Sequence, residues 1–155
     1  MSRRLLQVLA FLVIAPLVGF AAVYGVSEMR LRTYEAAPAF ELPIPRDSVS
    51  LARGRHIART RGCFGCHGQA LEGRRFEEEW PWVKRAVAPN LALYARAHDS
   101  QTLADAIRWG VGHDGRALWS MPSYNFRHLP DEDLAALIGF LRSAVVVEQA
   151  LPRPS

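Results

Sequence analysis

Two cysteines, Cys63 and Cys66, are separated by two residues and followed directly by His67. This C-x-x-C-H spacing is the attachment signature of c-type haem, in which each thiol forms a thioether with a haem vinyl group. The adjacent imidazole is then held against one face of the ring as an axial iron ligand. The chain has no other cysteine, which excludes a disulfide scaffold between distant segments. The motif predicts one covalently attached haem c.

A redox dithiol or half of a zinc site are the other uses of a C-x-x-C pair. Zinc needs a second pair of ligands, and the chain offers no further cysteine for it. A thioredoxin-like dithiol lies in a strand–helix unit, and no strand pattern surrounds these cysteines. Haem attachment is therefore the favoured interpretation.

The second axial ligand must come from another part of the chain. The candidates are Met121, His98, His113 and His128. Met121 is favoured because Pro122 restricts the backbone around it, whereas the three histidines stand in polar, turn-like contexts. A methionine raises the potential of the iron. Two filled axial positions favour electron transfer over catalysis, because no site is open to a substrate.

The N-terminal segment is apolar. Residues 5–26 contain no charged residue and follow Arg3 and Arg4. A helix of about 22 residues spans about 33 Å, close to the hydrocarbon core of a bilayer. We expect an uncleaved membrane anchor over residues 1–32. A cleaved secretory signal is the alternative, with a small-x-small site at residues 19–21.

The remaining chain divides by composition and periodicity. Residues 33–49 are proline-rich and predict a stiff linker that holds a domain off the membrane. Residues 50–147 are predicted to form one all-α domain, and residues 148–155 a frayed tail. Helices are expected at residues 50–61, at residues 100–109 with Ser100 as N-cap, and after Pro130, with irregular chain at residues 62–90 and 111–129.

The net charge of +4 belongs mostly to the anchor, because residues 1–32 carry four arginines and one glutamate. The rest of the chain has 15 basic and 14 acidic residues, with no basic run among aromatic residues. Nucleic acid is therefore not an expected partner.

In this order, the motifs resemble class I c-type cytochromes, and more narrowly the single-haem domains of bacterial membrane-associated cytochromes. The resemblance covers residues 50–143. It implies three main helices around one haem, placed after an N-terminal transmembrane helix. The pieces that carry it are the C-x-x-C-H motif, Ala88-Pro89-Asn90-Leu91, residues 107–116, Met121-Pro122 and the last helix.

The resemblance also implies roles for individual residues. Gly54 and Phe140 match the small and aromatic residues through which the first and last helices of the domain cross. The carbonyl of Pro89 is expected to accept the second ring hydrogen of His67 and so orient it. Possible contacts to the haem propionates are Arg108, Trp109 and Arg116.

Bacterial haem c is attached after export, so the resemblance implies that residues 33–155 lie on the periplasmic side of the cytoplasmic membrane, behind a single-pass anchor. The expected function is a membrane-tethered electron carrier that shuttles one electron at a time between respiratory complexes. The alternatives are an electron-accepting subunit of a periplasmic dehydrogenase and a haem enzyme or gas sensor. The acidic run at residues 77–79 could be a solvated loop or a docking patch, and Trp80 and Trp82 could pack against haem or core.

Overall fold

The computed structural model describes residues 3–32, 37–76 and 86–151. The described chain is mostly helical, which confirms the expected all-α class. Its α-helices are α1 (Arg3–Arg32), α2 (Ser48–Thr60), α3 (Cys63–His67), α4 (Leu91–Ala97), α5 (Ser100–Ala104) and α6 (Asp131–Ser143). Two short strands, β1 (Arg74–Arg75) and β2 (Val87–Ala88), pair antiparallel with Arg74 opposite Ala88. The sequence patterns did not predict these strands or α4.

Helix α1 is apolar along most of its length and contains Pro16. Its segment Arg3–Arg30 is, among the described residues, the one helix long and apolar enough to cross a membrane. An N-terminal secretory signal also satisfies this criterion of length and hydropathy, so the helix agrees with both expectations for residues 1–32.

The core of the domain lies where α6 crosses α2. Three acidic residues in the first turn of α6 suit the positive end of its dipole. Leu134, Leu137 and Ile138 then face inward and are fully buried. Gly54 of α2 lies directly on α6, because a Cβ built there would overlap the carbonyl of Ala136 and lie 2.8 Å from Phe140 Cβ. Only a glycine permits this close crossing.

Helices α4 and α5 form the next layer. Asn90 caps α4 by accepting a hydrogen bond from the Leu93 amide at 3.1 Å. Asp99 caps α5 by accepting one from the Thr102 amide at 2.7 Å, so the N-cap is Asp99 and the prediction of Ser100 was wrong. Helix α5 continues as a π-helical turn, Asp105–Trp109, that ends at Gly110 in the left-handed conformation with φ 66°.

Residues 37–47, here called the strap, pack onto the domain. The Phe40 amide donates to Gln101 Oε1 at 2.6 Å, and Gln101 Nε2 donates to the carbonyl of Pro38 at 3.2 Å. Further along, a Cβ on Gly139 of α6 would lie 2.6 Å from the Pro45 carbonyl. This part of the predicted stiff linker, residues 33–49, is therefore bound to the domain. Prolines impose an extended backbone but leave its carbonyls free to accept hydrogen bonds.

The C-terminal segment also returns to the domain. Asn90 Nδ2 donates to the carbonyl of Val147 at 2.8 Å. Leu151 reaches Gly73, where a Cβ would overlap its side chain. The described part of the predicted tail thus lies against the turn that precedes β1.

Candidate haem-binding site

The C-x-x-C-H motif forms the one-turn helix α3, directly after α2. Gly62 precedes it with φ 86°, a left-handed conformation that turns the chain sharply between the two helices. Cys63 is half-buried and packs against the core, whereas Cys66 is exposed. Both thiols are free, with no disulfide between them. One helical turn therefore presents two unpaired thiols beside an imidazole.

The Cys63 thiol has the character of a buried, protonated group. Burial is the main cause that raises its pKa to about 11, and the nearby Cys66 raises it further. A redox dithiol needs a thiolate at neutral pH, which a lowered pKa supplies. The raised pKa of Cys63 thus disfavours a redox-active dithiol at this motif.

His67 is buried, and one of its ring nitrogens is engaged. Its Nδ1 lies 2.9 Å from the carbonyl oxygen of Pro89. Burial lowers the pKa of His67, and the bond to Pro89 partly opposes that shift. The ring is therefore neutral at pH 7, and donation from Nδ1 to the carbonyl leaves the lone pair on Nε2 for a metal.

The backbone around Pro89 is fixed on both sides. Val87 and Ala88 pair with β1, and Asn90 begins α4. The Leu91 amide also donates to the carbonyl of Leu71 at 2.9 Å. The carbonyl that faces His67 is consequently held by elements of regular structure.

Met121 lies in a loop that several hydrogen bonds define. The Leu118 amide donates to the Gly110 carbonyl at 2.7 Å, and the Met121 amide donates to Leu118 at 3.1 Å. Buried Ser123 Oγ donates to the Ala106 carbonyl at 3.1 Å. Met121 itself packs against the same hydrophobic core as Cys63. The loop is thereby attached to the π-helical turn.

The three alternative axial ligands have other surroundings. The rings of His98 and His113 pack on each other with centroids 4.7 Å apart. The side chain of His128 is exposed.

The possible propionate ligands differ in what they contact. Arg108 Nη2 donates to the Leu129 carbonyl at 2.5 Å and pairs with Asp131, but its Nε is buried without a hydrogen-bond partner. A carboxylate at this point would satisfy that N–H. The Arg127 guanidinium lies over the Trp109 ring, 4.9 Å from the ring centroid. The Arg116 side chain is exposed.

Sequence reasoning missed three arginines that surround α3. The Arg59 guanidinium lies 5.6 Å from the centre of the Phe64 ring, and Arg74 Nη1 donates to the Gly65 carbonyl at 3.2 Å. Arg61 Nη1 donates to the Asn125 carbonyl at 2.7 Å and so joins the end of α2 to the loop after Met121. No periodicity or motif marks these residues. Glu77, Glu78, Glu79, Trp80 and Trp82 lie outside the described residues.

The residues present fit a covalently held haem. Two free thiols, a neutral oriented imidazole and a core-packed methionine are the donor set that such a group requires. A buried arginine N–H without a partner is available to a propionate. The family model described as Cytochrome c matches residues 51–144, more than half of the chain. No curated protein and no solved structure matches significantly.

Proposed function

The chain belongs to the cytochrome c family and therefore transfers electrons, and we propose that it does so as a membrane-tethered carrier on the periplasmic side of the bacterial cytoplasmic membrane. The observation that carries the electron-transfer role is the His67 ring, buried, neutral and bonded through Nδ1 to Pro89 at 2.9 Å. An imidazole in this state keeps its one proton on Nδ1 and has the lone pair of Nε2 free to ligate a metal.

Each residue of the site has one task in this proposal. Cys63 and Cys66 would hold a single haem c through thioethers. His67 Nε2 and the Met121 sulfur would be its two axial ligands, and Arg108 would contact a propionate. Haem c supplies a couple between ferrous and ferric iron that accepts and releases one electron at a time. Because both axial positions would be filled by protein atoms, the site favours electron transfer over substrate chemistry.

The apolar helix α1 supports membrane tethering, since its length suffices to cross a bilayer. Attachment of haem c after export supports the periplasmic side. The proposed partners are respiratory complexes in the same membrane. The arginines Arg59, Arg61 and Arg74 around α3 support a partner with an acidic docking surface, because opposite charge steers association.

The Met121 ligand is tested by Met121→Ala in the full-length haem-loaded protein. The variant should keep its haem through both thioethers, show a lower reduction potential and bind carbon monoxide when reduced. His128→Ala is the matched control, because that exposed side chain should change neither property. An unchanged potential and no carbon monoxide binding in the Met121 variant would contradict the assignment.

A second experiment separates a shuttle from a dehydrogenase subunit. The protein is purified from native membranes in mild detergent, and the chains that travel with the haem are identified by mass. Respiratory complexes, or the cytochrome alone as an intact chain, support the tethered shuttle. Stable copurification with a larger flavin- or quinone-containing chain would instead make this protein the electron-accepting subunit of that enzyme.

A further inference from the structure

Two histidines outside the haem-binding site face each other on one side of the domain. His98 follows the last residue of α4, and His113 lies in the turn between Val111 and Ala117, which form an isolated antiparallel bridge. Their ring centroids are 4.7 Å apart and the ring planes differ by 34°. Residues distant in sequence thus bring two imidazoles into contact.

Tyr94 completes the cluster from the preceding turn of α4. Its ring lies 4.3 Å from that of His98 and 6.0 Å from that of His113. The Tyr94 hydroxyl is also 3.5 Å from Nδ1 of His113. When a metal-bound histidine turns one nitrogen to a protein oxygen, the other nitrogen is the one that ligates. The phenol therefore directs Nε2 of His113 away from itself.

The charged groups around the two rings favour a cation. The pKa of Asp99 is lowered mainly by its hydrogen bond with Thr102 and to a smaller extent by nearby His98, and Asp114 acts electrostatically on Tyr94. The basic residue Arg142 also lies beside the cluster, and its Nε and Nη2 donate to the carbonyls of Ala95 and His98. Asp99 Oδ1 accepts from the Thr102 amide and Asp114 Oδ1 accepts from the Arg116 amide, so these carboxylates are also bound to the backbone. Two acidic groups and one basic group leave the surroundings of the rings net negative, which favours a cation.

We propose that His98 and His113 together bind one divalent transition-metal ion, with water as the remaining ligands. Zinc binds imidazole nitrogen at about 2.0–2.1 Å. Two imidazoles on one ion then have ring centres roughly 4.5–5.2 Å apart for ligand angles between square and tetrahedral, a range that contains the distance observed between these rings. Imidazole selects Zn²⁺, Cu²⁺ and Ni²⁺ over Mg²⁺ and Ca²⁺, which prefer oxygen.

The proposed site has two protein ligands, and this number determines how tightly it can hold an ion. No group of three or more His, Cys, Asp or Glu side chains that could hold a metal occurs in the part of the chain that the structure describes. Binding is therefore expected to be reversible and solvent-accessible, unlike a closed structural zinc site with four protein ligands. The exposed position of His113 gives an ion direct access.

The test is a calorimetric titration of the full-length, haem-loaded protein in detergent with Zn²⁺, which is redox-inactive toward the haem. One Zn²⁺ per chain is expected, with no heat from Mg²⁺ at the same concentration. His98→Ala and His113→Ala should each weaken Zn²⁺ binding at least tenfold, and the double variant should weaken it little further, because either change already removes the chelate. Tyr94→Phe should retain binding within about threefold, since its hydroxyl is not a ligand.

His128→Ala is the matched control, an exposed histidine outside the cluster that should bind Zn²⁺ like the unaltered chain. The helical circular dichroism and the haem spectrum of each variant establish that it is folded. Where an alanine variant does not fold, His98→Gln and His113→Gln keep a polar side chain of similar size without the imidazole. Full Zn²⁺ affinity in folded His98 and His113 variants, or loss of binding in the His128 variant, would overturn the proposal.

Discussion

Replacing Gly54 by alanine is expected to destabilise the domain, because the added methyl group has no space between α2 and α6. The new Cβ would overlap the Ala136 carbonyl and lie 2.8 Å from Phe140 Cβ, where ordinary contacts are 3.4–4 Å. The helices would have to separate by about 1 Å to restore an ordinary contact with the Ala136 carbonyl. Overpacking of this kind costs about 1–3 kcal/mol. The higher helix propensity of alanine returns up to about 1 kcal/mol.

Because the overlap is with a backbone carbonyl, the cost is expected at the upper end of that range, which leaves a net loss of about 2 kcal/mol and a fall in Tm of roughly 8–16 °C. The assay is thermal unfolding of the haem-loaded protein followed by circular dichroism. Gly25→Ala is the matched control, because Gly25 also lies in a helix but a Cβ there would meet nothing within 4 Å and the residue is outside the haem site. Its Tm should stay the same or rise.

A second variant sharpens the test. Phe140→Ala in the Gly54→Ala background should not restore stability, because alanine keeps the Cβ and the Ala136 carbonyl belongs to the backbone. The reasoning is refuted if Gly54→Ala melts with the unaltered protein, or if truncation of Phe140 rescues it.

Substitutions of three single side chains test the core, the Met121 loop and the cap of α5. Leu137→Ala should lower the free energy of unfolding by about 2–5 kcal/mol, because Leu137 is fully buried. Denaturant titration measures this loss, and a value below 1 kcal/mol would contradict the core position of Leu137. Ser123→Ala should lower the free energy of unfolding by about 1–3 kcal/mol, because Ser123 Oγ binds the Met121 loop to the Ala106 carbonyl. The same loss should increase carbon monoxide binding by the reduced protein. Ser143→Ala, at an exposed position, is the control. The hydrogen bond from the Thr102 amide lowers the pKa of Asp99 below 3.8. The ionised Asp99 carboxylate therefore stabilises the domain above about pH 4, and this stabilisation is lost as the pH falls through the lowered pKa. Asp99→Asn keeps an oxygen that can accept the N-cap hydrogen bond but is not protonated in acid. As the pH is lowered, the Tm of this variant should therefore fall less than the Tm of the parent chain. Equal falls in Tm for the two proteins would contradict this.

The elements predicted correctly from the sequence are those with a strong local signal. The apolar spacing of Leu134, Leu137, Ile138 and Leu141 indicated α6, and its core position in the structure agrees. The predicted helix at residues 50–61 corresponds to α2, shifted by two residues at its start. The C-x-x-C-H motif likewise needs no tertiary information to be recognised.

The elements that were missed depend on contacts between distant residues. Helix α4 is short, and arginines join it to the end of α6: Arg96 Nη2 donates to the Ala144 carbonyl at 2.6 Å and Arg142 Nε to Ala95 at 3.0 Å. A helix of this length has too few internal hydrogen bonds to be stable alone, so its pattern is weak. The contacts of Arg61 and Ser123 are also non-local, and neither residue type indicates a partner in advance.

The docked strap limits how far the domain could travel. Pro38 is bound to Gln101, so only residues 33–37 separate the end of α1 from the domain. Six Cα-to-Cα steps span at most about 20–22 Å, even when fully extended. In the proposed membrane-anchored carrier, this linker is too short for the domain to reach two distant complexes from one position of the anchor. The rate of electron transfer would then depend on lateral diffusion of the whole protein in the membrane. A longer linker would increase that rate only where the electron donor and acceptor are adjacent.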